Sequence, residues 1–151
     1  MRNNPRPRPE LSEARQKGFF NIGEASAFSG VSAKMIRHYE QIGLIPEANR
    51  TFANYRIYSE ADVHTLRFIK RARLLGFSIQ QISVLLSLWQ DKGRSSAEVK
   101  RLALEHVAEL ENKIRELQAM SNEIKRLAEH CHGDHRPDCP IIENLALDEL
   151  E

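Results

Sequence analysis

Two cysteines in 151 residues are too few for a disulfide-rich scaffold, and in a reducing compartment Cys131 and Cys139 stay thiols. No apolar run approaches the ~20 residues that a membrane helix needs, which excludes an integral membrane helix. Met1 to Gly18 contains Arg2, Arg6 and Arg8 with no apolar segment behind them. That excludes a secretory signal and makes the cytoplasm the expected compartment. The signatures G-x-S-x-G, H-E-x-x-H and G-x-x-x-x-G-K-[ST] are all missing, and no nucleophile–base pair stands out. An enzyme is therefore the least supported class. His38, His64 and His106 fall on predicted helices without an obvious acid partner and read as surface or packing residues.

Charge of one sign is lacking only in total. The chain has 22 Lys/Arg against 21 Asp/Glu, a net of +1, yet the charges are unevenly placed. Residues 1–77 carry 13 basic and 7 acidic residues, net +6, while residues 78–151 carry 9 and 14, net −5. A basic half joined to an acidic half points the front of the chain toward a polyanion. With 41% hydrophobic and 28% charged residues, the chain has the composition of a folded globular protein.

Residues 1–18 alternate proline with arginine and read as a disordered basic extension. Phe19 to Ile22 reads as a short strand. A brief helix over Gly23 to Phe28 stops at Ser29-Gly30, and Ser32 caps the next helix, which Gly43 ends. Ala25, Phe28, Val31, Ile36 and Ile42 suit the inner faces of these two helices, the layout of a helix-turn-helix. Leu44 to Tyr58 reads as a small hairpin with its tip near Arg50-Thr51-Phe52-Ala53-Asn54. Ser59 with Asp62, and Ser78 with Gln81, are capping boxes that open two further helices. The first is expected to run to Leu75, with Gly76 ending it. The second has Ile82, Leu85, Leu86 and Trp89 as its apolar stripe, Trp89 packing in the core.

Asp91-Lys92-Gly93-Arg94 breaks the pattern, and Ser95 or Ser96 caps a long helix running to about Glu129. Ala103, Val107, Leu110, Ile114, Leu117, Ser121, Ile124 and Ala128 alternate by four and three, which is a coiled-coil seam. Too little sequence remains to cover that seam, so the expected partner is the same helix of a second copy, in a homodimer.

The chain then closes on His130-Cys131-His132-Gly133-Asp134-His135-Arg136-Pro137-Asp138-Cys139-Pro140-Ile141-Ile142. Two thiolates eight positions apart suit a soft monovalent ion, Cu(I), Ag(I) or Au(I). The histidines and aspartates leave zinc open, and two nearby thiols leave a redox switch open. Leu145, Leu147 and Leu150 suit a last small amphipathic turn.

This order of parts resembles the MerR family of dimeric transcription regulators. Ile36-Arg37-His38-Tyr39-Glu40-x-x-Gly43-Leu44-Ile45 is similar to the family's recognition-helix signature. Arg50 and Tyr55-Arg56-x-Tyr58 are similar to its wing, and Arg71-x-x-x-Leu75-Gly76-Phe77-Ser78 to the stretch leading into its second helix pair. Cys131 to Asn144 resembles the metal loop of the copper efflux regulators in that family. The likeness covers about residues 19–145. The chain departs from the pattern at Asn54, where glycine is usual, and at His38, where an aromatic such as Phe is common. Asparagine tolerates a left-handed backbone, so the turn survives.

The resemblance implies a mostly α fold: a disordered extension over 1–18, a winged helix-turn-helix DNA-binding domain over 19–91, a dimerisation helix over 95–129 that forms an antiparallel coiled coil in the dimer, and a metal-binding loop with a short helix over 130–151. It implies that Lys34 and Arg37 reach base edges or phosphates, and that Tyr39, Arg50, Tyr55 and Arg56 hold the DNA backbone. Cys131 and Cys139 are the implied metal ligands. Divalent-metal members carry a further cysteine near the start of the dimerisation helix, where this chain has Ser96, so the implied effector is Cu(I), Ag(I) or Au(I). The implied partners are promoter DNA, RNA polymerase through that promoter, and a second copy, with no membrane. The implied activity is activation of copper-efflux genes by promoter distortion. A divalent-metal or thiol-redox regulator of the same fold is the alternative. A coiled-coil adaptor is the alternative of another class.

Overall fold

A computed structural model describes residues 16–147. The proposed extension over 1–18 therefore lies almost wholly outside the described residues, as does Leu150. The chain divides into two compact units between Ser95 and Ser96.

The first unit runs β1 (Phe20–Asn21), α1 (Ile22–Ser29), α2 (Ala33–Gln41), β2 (Asn49–Arg50), β3 (Arg56–Tyr58), α3 (Glu60–Leu74) and α4 (Ile79–Gln90). Its small antiparallel sheet has the order β1-β3-β2, pairing Phe20 with Tyr58 and Arg50 with Arg56. Side chains satisfy the helix starts at Ser32, Ser59 and Ser78, as the sequence signals, and also at Asn21, which the sequence placed in the short strand. The Asn21 side chain accepts from the Glu24 amide at 2.8 Å, and Ser32 accepts from Met35 at 3.2 Å. The Ser59–Asp62 and Ser78–Gln81 boxes both close. Each such cap is worth about 1 kcal/mol. Asn54 adopts φ 71°, the left-handed turn that its position in the hairpin requires.

Ala25, Ile36, Leu66, Ile69 and Ile82 are fully buried and join Val31, Tyr39, Tyr58 and Val63 in one core. Full burial of each large apolar side chain contributes about 1.5–3 kcal/mol. Three expectations about this core are corrected. Phe28 is 52% exposed; its ring leans on Phe20 at 5.1 Å, and Ala25 and Ser29 take the inward positions of α1. Ile42 is 45% exposed because it is the residue that closes α2, off the helical stripe. Trp89 is 42% exposed and stacks on Phe68 with centroids 4.6 Å apart, while Leu88 occupies the buried position of that turn. His64 and His106 do have acidic neighbours, Glu60 at 3.8 Å and Glu109 at 3.7 Å.

The second unit is α5 (Ser96–Glu129) and α6 (Pro140–Leu145), which pack on each other. At ~1.5 Å per residue α5 is about 50 Å long. Val107, Ile114, Leu117 and Ile124 lie on its surface, the last three more than 60% exposed. Only His106 and Leu127 are buried along its length. Leu145 and Leu147 are exposed, and Ile141 is the partly buried apolar residue of α6. Among the described residues, no helix is long and apolar enough to cross a membrane.

Candidate nucleic-acid interface and metal centre

The recognition helix of the helix-turn-helix is α2. Its period separates two faces: Ile36 and Tyr39 point into the core, and Lys34, Arg37 and His38 are exposed. Lys34 and Arg37 are three apart and share one outward face. Tyr39, expected to hold a DNA backbone, is a core residue with 5% exposure, because it continues the stripe that begins at Ile36.

The wing is β2, β3 and their turn. Thr51 is fully buried; its amide donates to the Tyr55 carbonyl at 2.8 Å, and its hydroxyl accepts from the Tyr55 amide at 3.2 Å. Arg50 donates through Nη1 to the Asn54 carbonyl at 3.0 Å. These bonds fix the turn, and Tyr55 projects from it with 62% exposure. Arg56 donates through Nε to Glu40 Oε2 at 3.3 Å. Tyr58 donates its hydroxyl to Glu40 Oε1. Burial, then the hydrogen bond to Glu40 and that residue's charge, hold the Tyr58 phenol well above its ordinary range. The sequence reading named Glu40 only as part of a motif. Its signal is an acid among the basic residues of the recognition helix, and its partners lie 16 and 18 positions away, beyond the reach of local patterns.

The second cluster lies at the far end of α5. Cys131 closes the helix, its amide donating to the Ala128 carbonyl at 3.1 Å. Cys139 immediately precedes α6, and Pro140 is that helix's first residue. The two Sγ atoms are 3.8 Å apart. That is far longer than a disulfide of about 2.05 Å and shorter than two metal–sulfur bonds of about 2.3 Å laid end to end, so one ion can touch both sulfurs. The backbone N–H of Ile142, helped by that of Ile141 and by the Cys131 thiol, lowers the Cys139 pKa against the opposing cost of desolvation.

Two of the loop's other donors have partners of their own. His130 Nδ1 sits 2.7 Å from the Arg126 carbonyl, and Asp134 receives Arg136 at 2.8 Å. Among the described residues, no group of three or more His, Cys, Asp and Glu side chains comes together to hold a metal. Ser96 is the first residue of α5 and is exposed.

The chain is similar to known proteins over most of its length. A MerR family regulatory protein profile matches residues 21–58, and a MerR DNA-binding profile matches residues 63–127. The transcriptional regulator HmrR of Sinorhizobium medicae is 65% identical over 126 residues, which cover 83% of this chain and 86% of that protein. The regulator CueR of Escherichia coli O157:H7 is 42% identical over 126 residues, covering 83% of this chain and 93% of that protein. Among solved structures, PbrR691 of Ralstonia metallidurans CH34 in complex with lead(II) aligns with a TM-score of 0.74 at 31% identity, covering 84% of this chain and 99% of that one.

Proposed function

The chain belongs to the MerR family of regulatory proteins, and we propose that within it this member is a metal-responsive transcription activator whose effector is a monovalent soft ion. As a member of that family it is a DNA-binding regulator of transcription and not an enzyme. Family membership also sets aside the adaptor reading. The observation that carries the choice of effector is the pair of sulfurs 3.8 Å apart with no third His, Cys, Asp or Glu gathered beside them among the described residues. A two-thiolate donor set suits Cu(I), Ag(I) or Au(I), whereas zinc takes four ligands. The 42% identity to CueR supports the same choice.

The residues divide the work. Cys131 and Cys139 would hold the ion, and the Ile141 and Ile142 amides favour the thiolate form of Cys139. A bound ion would supply soft, thiophilic coordination at these two side chains. In the dimer the partner's Ser96, where a cysteine would add a third thiolate, would leave the donor set at two. The long helix pairs with its copy along the Val107–Ile124 stripe, giving a dimer whose two recognition helices enter successive major grooves of a pseudo-palindromic operator. Lys34 and Arg37 meet bases or phosphates; Arg50, Tyr55 and Arg56 hold the backbone. Ordering of the thiol loop is then transmitted as a change in promoter shape, which RNA polymerase reads. The protein acts in the cytoplasm, where thiols stay reduced.

The test is a competition titration of the reduced, full-length protein with Cu(I) against a Cu(I) chelator, with Zn(II) in parallel. One Cu(I) per subunit is expected, lost in Cys131→Ser and in Cys139→Ser. Weak Cu(I) binding beside firm Zn(II) binding would overturn the monovalent assignment and leave the DNA-binding one standing.

A further inference from the structure

We infer that Glu40 is a positioning residue, which ties the wing strand β3 to the recognition helix α2 and so fixes the spacing at which helix and wing meet one operator. The inference rests on the DNA-binding reading above and deepens it.

A carboxylate on a helix that faces phosphates is a liability, because like charges repel. Here the liability is absorbed. The Glu40 side chain is only 6% exposed, and its two oxygens are taken by Arg56 and Tyr58 of the same strand. Tyr58 is 2% exposed and pairs with Phe20 on β1, while Arg56 pairs with Arg50 on β2. One carboxylate therefore anchors the central strand of the sheet, and with it both neighbours, to the end of the recognition helix.

The anchor also aims a side chain. Glu40 engages Arg56 at Nε, which leaves the terminal Nη groups of the guanidinium for another acceptor. Arg56 lies at the edge of a recess of about 370 Å³ between α2 and the wing, lined by Arg37, Glu40, Gln41, Glu47 and Arg56. The guanidinium of a long, flexible side chain is thereby held beside Arg37, and the ordering cost is met before DNA arrives.

The consequence is a difference between two kinds of DNA. Binding to random sequence depends on charge, and Glu40→Gln makes the unit more positive. Binding to an operator needs helix and wing in register on one duplex. Losing the tie should therefore weaken operator binding while leaving random binding equal or stronger.

The experiment uses the full chain, a duplex that the wild-type protein enriches from a random-sequence pool, and a scrambled duplex of equal length, read by fluorescence anisotropy at several salt concentrations. Glu40→Gln should lower the operator-to-scrambled affinity ratio about tenfold, the scale of losing one hydrogen bond to a charged group. Tyr58→Phe keeps the ring in the core and should lower the ratio less, in the same direction. An unchanged ratio in both variants overturns the inference. So does a parallel loss on both duplexes that follows a fall in Tm, which is the mark of a merely structural residue. If Glu40→Gln does not fold, the ratio for Tyr58→Phe decides alone. If the wild-type protein enriches no duplex, the DNA-binding reading itself fails, and the inference falls with it.

Discussion

The unit ending at Ser95 buries Ala25, Ile36, Leu66, Ile69 and Ile82 completely, while the 34-residue helix that opens the other unit leaves Ile114, Leu117 and Ile124 more than 60% exposed. Both segments carry apolar residues at helical spacing. The first has enough neighbouring elements to cover its stripes: β1, β3 and four helices share one core. The second has α6, six residues long, and nothing more among its described residues. Helical periodicity states that a face must be covered; only the supply of covering elements says whether the cover comes from the same chain. In the first unit folding is a local affair of caps and core. In the second, stability is tied to the concentration of a partner.

The sharpest way to break this contrast is to charge the stripe. Ile114→Glu with Leu117→Glu places carboxylates on the seam of both copies. Burying them unpaired would cost several kcal/mol, so the dimer dissociation constant should rise about a thousandfold or more. Sedimentation velocity at micromolar protein should show a monomer, with the first unit's thermal transition kept. A variant that stays dimeric would mean that the exposed stripe is not the interface.

The reverse experiment strikes the covered face. Leu66 is fully buried, so Leu66→Ala removes packing that nothing nearby replaces. A loss of about 2–5 kcal/mol is expected, read from urea unfolding of the first unit, with the dimer retained. Should Leu66→Ala abolish dimerisation instead, the two units would not be energetically separate.

How much of this was legible in the sequence follows the same division. Caps were legible because their partners lie three residues apart: Ser32, Ser59 and Ser78 all adopt the roles that their neighbours signal. The cysteine pair was legible because a short loop brings Cys131 and Cys139 together. The errors were of another kind. Trp89 and Phe28 were assigned inward by residue type, but each rests on one aromatic neighbour at the rim of the core. Tyr39 was assigned outward by resemblance, though its spacing from Ile36 puts it inside. Glu40 went unassigned because its partners come from a strand that only the folded chain delivers. Periodicity resolves which face is apolar; it does not resolve which residue of that face reaches the middle, or which distant polar groups meet across it.

The smallest expected effect sharpens the contrast at the thiol loop, where the second unit brings two thiols together within its own chain. The Ile142 amide, with the Ile141 amide and the Cys131 thiol, lowers the pKa of Cys139 below that of an ordinary thiol. A pKa lowered on folding adds stability above the unfolded value, near about 8.5 for a cysteine, and that stability is lost as pH falls through the folded value. The loop should therefore be firmest at mildly alkaline pH and loosen toward acid. The check is the rate of alkylation of Cys139 by iodoacetamide against pH, in Cys131→Ser to remove the competing thiol. That variant keeps the Ile142 amide, the largest cause of the shift. The midpoint should lie below that of the same protein in urea. Coincident midpoints would mean that the amides at the start of α6 do not hold the thiolate.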